Sequence, residues 1–224
     1  MPVITLATTK GGVGKSTLTC AITSELALRG LRIHVLDADR REDTFRWVRD
    51  ADIKGLTAEG GIAEDTITAL IRKASQENNL VFVDMPGIGS NMLTYAMLRS
   101  DLVVIPTRSS EFDLASVNES VRGIEVIQEA TDRQINYRVL MNAAPVLQTK
   151  AHQNAERRFI ERGIPLFRTR VLNRTVFEKL TLSGRPLRAL DPKGNALANI
   201  NALITEMFEG LGLNLPGVQE AEVA

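Results

Sequence analysis

The sequence predicts an α/β fold in which a doubly wound, mostly parallel β-sheet is flanked by helices. Short apolar runs alternate with longer amphipathic segments along the chain. The apolar runs contain few polar residues before their ends, which is typical of strands buried on both faces. Alternating strands and helices favour right-handed crossovers, which place helices on both sides of one sheet. Any ligand is then expected at the carboxyl ends of the strands.

The individual elements can be assigned in chain order. The predicted strands are VITLA from Val3, RIHVLDAD from Arg32, LVFVDMPG from Leu80, DLVVIPT from Asp101 and YRVLMN from Tyr137. Helical periodicity covers residues 15–29, 62–76, 113–130 and 150–162, and glycines that can end a helix follow the first and last of these. Trp47 indicates a further amphipathic helix after the second strand. Residues 52–61 show no clear pattern.

Length and composition predict one domain, residues 1–212, followed by a frayed tail, residues 213–224. A chain of 224 residues that is 44% hydrophobic can form one sizeable core. The 27 basic and 27 acidic residues cancel, so binding to nucleic acid would need a local basic patch. The single cysteine, Cys20, excludes an internal disulfide framework and a multi-cysteine iron–sulfur site. No apolar run is long enough to span a membrane, and we expect a cytoplasmic protein.

A phosphate-binding loop is predicted where TTKGGVGKST follows the first strand and opens the first helix. Its glycines allow backbone N–H groups to surround phosphate oxygens, and the helix N-terminus adds its positive dipole end. Lys15 can reach the β- and γ-phosphates, and the Ser16 hydroxyl can bind magnesium. The usual pattern has a glycine in place of Thr9 and does not require the lysine that follows it. The predicted nucleotide-binding residues of the loop are Lys10, Gly11, Gly12, Val13, Gly14, Lys15, Ser16 and Thr17.

Carboxylates end two further strands at the same predicted edge of the sheet. Asp84 ends the run LVFVD, where a Walker B carboxylate would hold magnesium; a capping or turn aspartate is the alternative. Asp37 and Asp39 are two residues apart on an extended run, so both side chains are expected to point the same way, toward a cation or hydrogen-bond donors. One of them could instead orient an attacking water. A solvated acidic turn remains the simpler alternative for this pair.

The motifs KGGVGKST, DAD and VFVDMPG resemble those of the ParA/MinD group of deviant Walker A ATPases, and most closely those of short ParA-type partition ATPases. The resemblance extends to VVIPTRSSEFDLAS, to VLMN and to residues 163–196, and therefore covers nearly the whole chain. It implies a P-loop NTPase fold, ATP and Mg²⁺ as cofactors, and a homodimer with ATP held at its interface.

The resemblance also implies roles for individual residues. Lys10 would cross the dimer interface and contact the phosphates of the partner's ATP, in the manner of an arginine finger, and so act in catalysis together with Lys15. Asp39 would position the attacking water. The metal site would comprise Ser16, Asp39 and Asp84, and Asn142 would contact adenine. The family commonly has Pro-Gln after the second acidic residue, whereas this chain has Arg40-Arg41, a departure that bears on the switch and on the hydrolysis rate.

The implied function is an ATP-dependent dimeric switch that binds non-specific double-stranded DNA and partitions a plasmid or chromosome. A ParB-like protein or another cargo adaptor would be the partner, slow partner-stimulated hydrolysis would reset the switch, and the protein would associate with the nucleoid. Basic residues cluster from residue 157 onward, where phosphate contacts are predicted. The candidates are Arg157, Arg158, Arg162, Arg168, Arg170 and Arg188.

Other functions of this fold lack their sequence signals. The C-terminal GLNLPGVQEAEVA has no lysine or arginine, which argues against membrane binding of the MinD kind. The loop begins close to Met1, so we expect no preceding helix-turn-helix for operator binding. A metabolic ligase stays possible without an evident substrate motif. The main alternative is a ParA-like ATPase that positions a protein complex or a DNA-transfer intermediate.

Overall fold

The computed structural model describes residues 1–86, 91–108, 111–147 and 150–217, in which six parallel strands form one sheet between two layers of helices. The strands are β1 Val3–Leu6, β2 Ile33–Asp37, β3 Leu56–Glu59, β4 Leu80–Asp84, β5 Leu102–Thr107 and β6 Tyr137–Met141. They are ordered β3-β2-β4-β1-β5-β6, and each pairing is parallel. The predicted fold class is confirmed.

In the described parts of the chain, each strand is followed by at least one helix, and several helices come after β6. They are α1 Lys15–Ala27, α2 Asp43–Ala51, α3 Ile67–Glu77, α4 Asn91–Leu98, α5 Glu111–Thr131, α6 Lys150–Glu161, α7 Val176–Ser183, α8 Leu187–Leu190 and α9 Asn195–Gly210. The four predicted periodic segments correspond to α1, α3, α5 and α6, and the helix around Trp47 is α2. None of the helices in the described parts of the chain is both long and apolar enough to cross a membrane.

The edge strand β3 lies within residues 52–61, where no element is predicted from the sequence. Leu56 is buried, whereas Thr57 and Glu59 are exposed, so the continuous apolar run of a central strand is missing. Parallel pairing with β2, in which Ile33 lies opposite Leu56, provides the backbone hydrogen bonds for β3. The helix α4 and the helices that follow α6 are also not predicted from the sequence.

The strands alternate their side chains between two apolar cores. In β1, Ile4 and Leu6 belong to the core covered by α1, α2, α7, α8 and α9. Val3 belongs to the opposite face, which is covered by α3, α4, α5 and α6. Because both faces are buried, the strands appear in the sequence as nearly unbroken apolar runs.

The parallel register brings the candidate site residues together at one edge of the sheet. Leu6 of β1 pairs with Asp84 of β4, and Asp84 pairs in turn with Asp37 of β2. The three strands therefore end side by side. The loop that follows β1 and the acidic ends of β2 and β4 consequently share one face of the molecule.

A tryptophan joins two helices on the side of the sheet that carries α1. Trp47 of α2 is buried, and its indole N–H donates a hydrogen bond of 2.7 Å to the carbonyl oxygen of Leu180 in α7. The contact ties the helix that follows β2 to the C-terminal part of the chain. Packing also continues past residue 212, since Leu213 and Leu215 lie against the core, whereas residues 218–224 of the predicted tail lie outside the described residues.

A buried carboxylate supports the segment that connects α6 to α7. This segment runs beside β6 and makes isolated parallel contacts, Leu166 with Val139 first and then Leu172 with Ala144. Between these contacts, two backbone amides turn away from β6 and donate to Glu206 of α9. The amide of Arg168 lies 2.7 Å from Glu206 Oε1, and that of Thr169 lies 2.9 Å from Oε2. Glu206 thus replaces the acceptors that the strand does not supply.

We expect Glu206→Ala to lower the free energy of unfolding by about 2–4 kcal/mol at pH 7, because two amides lose a charged acceptor. Burial alone would raise the pKa of the Glu206 carboxyl, but the amides of Arg168 and Thr169 hold that pKa below its ordinary value. The stabilisation is therefore present above the unfolded pKa, about 4.3, and is lost as pH falls through the folded pKa. Urea denaturation at pH 7 and at pH 3 measures this difference.

Glu206→Gln is the matched variant, since it keeps the side-chain volume and one acceptor oxygen, and its stability should lie between the other two. A Glu206→Ala protein as stable as the native one at pH 7 would contradict this account of the segment.

Candidate functional site

The loop between β1 and α1 has the backbone conformation that phosphate binding requires. Gly12 and Gly14 have φ of 74° and 93°, in the left-handed region that favours glycine. A Cβ on Gly14 would also lie 2.6 Å from the side-chain nitrogen of Asn142, so a larger residue would displace Asn142 from its contact with the loop. Gly14 caps α1 without a side-chain hydrogen bond. Because glycine has no side-chain acceptor, it leaves the first-turn amides of α1 available to an anion.

Two side chains from neighbouring strand ends hold carbonyl groups of this loop. Asn142, after β6, donates its side-chain amide to the carbonyl oxygen of Val13 at 2.6 Å. Arg108, after β5, donates to the carbonyl oxygen of Gly12 at 2.7 Å. The loop is thus fixed from the sheet. The predicted contact of Asn142 with adenine stays a prediction. Arg108 is a site residue that is not predicted from the sequence.

Lys15 and Asp84 form the charged centre of the site. The Lys15 side chain is buried, and burial lowers the pKa of its amine, an effect that the negative charges of Asp84 and Asp39 oppose. Asp84 is fully buried, and burial raises the pKa of its carboxyl to about 7. Both ionised forms are thus disfavoured by desolvation, and each depends on the opposite charge nearby.

One oxygen of Asp84 is paired and the other is not. Thr44 of α2, which is also buried, donates its hydroxyl to Asp84 Oδ2 at 2.5 Å. Asp84 Oδ1 is buried without a hydrogen-bond partner among the described residues. A buried carboxylate oxygen in this situation calls for a cation or a bound water. A magnesium ion together with the Ser16 hydroxyl, at the start of α1, fits this requirement.

The two aspartates at the end of β2 differ in burial and in hydrogen-bond partners. β2 ends at Asp37, so the two-residue alternation of a strand does not extend to Asp39. Asp37 is buried and accepts backbone amides from Asp39 at 3.1 Å and from Phe45 at 2.9 Å, which fixes the start of α2. Burial raises the pKa of Asp37. Asp39 is half-buried and accepts the amide of Arg41 at 3.0 Å.

The structure therefore divides the acidic pair between two tasks. Asp37 lies next to Asp84 in the sheet but already has two amide donors, so its task is structural. Asp39 lies closer to solvent and contributes to the electrostatic environment of Lys15. The metal and water-positioning roles of Asp39 stay predictions. Thr44 is a further residue that the sequence analysis misses, because a single threonine on a helix carries no recognisable signal.

A cleft of about 480 Å³ opens beside the first turn of α1. Ser16 and Thr17 line it from α1, Trp47 from α2, and Leu182 from α7. Leu182 is largely exposed, at 87%. The free space next to Ser16 is consistent with a ligand that extends beyond the loop.

The arginines predicted to contact DNA differ in their partners and in their exposure. Arg188 pairs with the buried Glu25 of α1, and Arg170 pairs with Glu156 of α6. Arg168 bonds Glu209 at 2.8 Å, and Arg162 bonds Asn118 at 2.8 Å. Exposed positions on α6 are held by Arg157 and Arg158.

The contact of Arg188 changes what we expect of this residue. Arg188 is drawn into an internal ion pair with a carboxylate that is 2% exposed, so it is a poor candidate for a phosphate contact. The contacts of the other arginines with DNA stay predictions.

Comparison with known proteins gives a family and two curated relatives. The model of a family described as VirC1 protein matches residues 1–190. The chain is 29% identical over 217 residues to Protein ParA of Rhizobium radiobacter, an alignment that covers 94% of this chain and 98% of that protein. It is 28% identical over 211 residues to Maintenance of carboxysome distribution protein A of Halothiobacillus neapolitanus, covering 92% and 95% respectively.

Solved structures share the fold at lower identity. The structure described as the Cyanothece McdA(D38A)-ATP complex has a TM-score of 0.79 at 13% identity, and the match covers 96% of this chain and 97% of that chain. At this identity the likeness concerns the fold. The family model and the relative named ParA confirm the resemblance to ParA-type proteins that the motifs predict.

We expect Asp84→Asn to stabilise the protein at pH 8 when metal and nucleotide are absent, by at most about 4 kcal/mol. The folded pKa of Asp84 lies above its unfolded value, so ionisation costs stability progressively from about pH 4 to about pH 7 and fully above that. Thermal unfolding in EDTA at pH 5 and pH 8 should show a larger gain at pH 8. Asp65→Asn, at an exposed position, is the control, and an equal response of both variants would refute the assignment.

Proposed function

The chain belongs to the VirC1 protein family, and we propose that it is a Mg²⁺-dependent ATPase that dimerises on ATP, binds double-stranded DNA without sequence preference and places a DNA cargo. The observation that carries the proposal is the unpaired Oδ1 of Asp84, buried near Lys15 and beside a loop with two left-handed glycines. A phosphate group and its metal ion would satisfy all three features together.

The residues of the loop would divide the work of holding Mg-ATP. The amides of the loop and of the first turn of α1 would bind phosphate oxygens, and Lys15 would neutralise their charge. Ser16 and Asp84 would hold the magnesium ion. Bound Mg-ATP would supply a phosphoryl group, and its transfer to water would reset the switch. Burial of Lys15 makes its interaction with a phosphate stronger than it would be in water.

Two further residues would take part in the reaction, and one of them would make it depend on dimerisation. Lys10 is half-buried at the start of the loop, and its charge would contact the phosphates bound to the partner subunit. Asp39, half-buried at the entrance to the site, would orient the attacking water. A complete site would then require two facing subunits, so that nucleotide state controls association.

The basic surface of α6 supports DNA as the ligand of the dimer. Arg157 and Arg158 are adjacent and exposed, and dimerisation doubles their number. Since the chain has no net charge, such a local patch is what non-specific phosphate binding requires. The proposed location is the cytoplasm, in association with the nucleoid, with a ParB-like protein or another adaptor linking the dimer to its cargo.

A second candidate function is the positioning of a protein complex. It is favoured by the relative named Maintenance of carboxysome distribution protein A, which matches the chain at nearly the same identity as the relative named ParA. Cargo would then be determined by the adaptor and not by the nucleotide site. Both candidates share the ATP switch.

We expect random-sequence duplex DNA to bind the protein with Mg-ATP, and not with Mg-ADP or without nucleotide. Affinity should fall steeply with salt, because arginine–phosphate contacts release counterions. Lys10→Ala should lose the ATP-dependent binding. Fluorescence anisotropy of a labelled duplex across a salt series measures the nucleotide dependence, the salt dependence and the effect of Lys10→Ala. If ATP dimerises the protein while DNA binds in no state, the DNA proposal fails and the protein-positioning function is favoured.

Two arginines supply a matched comparison for this experiment. Arg157→Ala should weaken DNA binding and reduce the slope of log affinity against log salt by about one for each phosphate that the arginine neutralises. Arg188→Ala should leave the slope unchanged and lower the melting temperature, because the buried Glu25 loses an ion-pair partner. The opposite pattern would place the DNA surface near α8.

Removal of Asp39 tests the hydrolysis step separately. Asp39→Ala should bind ATP and dimerise, but its hydrolysis should slow by about a hundredfold or more, because the attacking water loses its orienting group. Phosphate release and sedimentation of the ATP-bound dimer measure the two effects. Glu64→Gln, on an exposed part of the chain, is the control. An unchanged rate would remove Asp39 from the mechanism.

A further inference from the structure

The residue that breaks the usual loop pattern is fastened to α5. The Thr9 hydroxyl lies 2.9 Å from Glu119 Oε2 and 3.3 Å from the carbonyl oxygen of Ser116. The Thr9 amide donates to the Ser120 hydroxyl at 3.3 Å, and that hydroxyl donates in turn to the Ser116 carbonyl at 2.8 Å. Both the backbone and the side chain of Thr9 are therefore held by one helix.

The three helix positions form a single docking point. Ser116, Glu119 and Ser120 are spaced by three and four residues, so they lie on one face of α5. A glycine at position 9 could keep the amide contact but would lose both hydroxyl contacts. The substitution that looks like a defect in the phosphate-binding pattern thus adds an attachment that the usual loop lacks.

The loop is supported differently at its two ends. Gly12 and Val13 are held by Arg108 and Asn142, which follow strands of the sheet. Thr9 is held by α5 alone among the described residues. Lys10 directly follows Thr9, whereas Lys15 begins α1. The Lys10 amide also lies 3.4 Å from the Thr8 hydroxyl, which it can use as an acceptor. We expect loss of the Thr9 attachment to affect the backbone of Lys10 more than that of Lys15.

We propose that Thr9 and Glu119 are positioning residues that orient Lys10 toward the nucleotide of the partner subunit. The inference rests on the proposed function, because it assumes that Lys10 acts across a dimer. The Thr9 hydroxyl restricts the rotation of the loop at its first residue, and the Glu119 carboxylate supplies the acceptor. Through this contact α5 helps to orient Lys10.

The proposal separates ATP binding from ATP-dependent dimerisation. Thr9→Val keeps the shape of the side chain and the amide contact but removes the hydroxyl donor. It should weaken ATP-dependent dimerisation by about three- to tenfold, the effect of one hydrogen bond, and leave the affinity of the monomer for ATP unchanged. Glu119→Ala should have the same effect, and Thr9→Ser should restore native behaviour.

Two measurements test this split. Binding of a fluorescent ATP analogue at low protein concentration reports the affinity of the monomer, and sedimentation velocity with Mg-ATP reports dimerisation. Glu129→Gln, exposed and further along α5, is the matched control for Glu119→Ala. The double variant Thr9→Val with Lys10→Ala should dimerise no worse than Lys10→Ala alone, because the proposed effect of Thr9 operates only through Lys10.

Each other result overturns the inference. Native dimerisation of Thr9→Val shows that the contact does not position Lys10. Equal losses of ATP affinity and dimerisation show that Thr9 supports the whole loop. Further weakening in the double variant shows an effect independent of Lys10. If the native protein and Lys10→Ala dimerise alike, the proposed function of Lys10 fails first, and that failure is visible without any Thr9 variant.

Discussion

The burial of the Asp84 carboxylate beside the Lys15 amine is the interaction around which the site is arranged. Three strands end together there, so the carboxylate is enclosed by β1 and β2 on either side of β4. A charge enclosed in this way is stable only with compensating charge and hydrogen bonds. Thr44 supplies one hydrogen bond. Lys15 supplies an opposite charge, although burial lowers the pKa of its amine. Asp84 Oδ1 remains without a hydrogen-bond partner among the described residues, and a bound cation would provide the missing interaction.

The supports of the phosphate-binding loop come from separate parts of the chain. Arg108 and Asn142 fasten its centre to the sheet, and Thr9 fastens its beginning to α5. The segment that holds Asp39 is fixed by Asp37, which caps the start of α2. The conformation of the loop therefore depends on contacts with several separate parts of the fold. Precise placement of charged groups by rigid surroundings is the usual basis of electrostatic catalysis.

Much of this arrangement follows from the sequence, and the exceptions have physical causes. The central strands, the loop and Asp84 are predictable because buried parallel strands form apolar runs and because glycine, lysine and serine appear at fixed spacing. β3 is not predictable in this way, since an edge strand exposed on alternate residues lacks the run. Thr44, Arg108 and the Thr9 contacts are tertiary and have no local signal. The different burial of Asp37 and Asp39 is also not predictable from their spacing, since the strand ends at Asp37, two residues before Asp39.

The contact between Trp47 and Leu180 gives the chain an optical property. Trp47 is the single tryptophan, so intrinsic indole emission arises from one place, the junction of α2 and α7. That junction borders the cleft beside Ser16 and lies on the helix that Asp37 caps, a few residues after Asp39. Any rearrangement of the segment after β2 would alter the polarity around this ring. The fluorescence of Trp47 therefore reports, without any added label, on the contact between α2, next to the candidate nucleotide site, and the C-terminal helices.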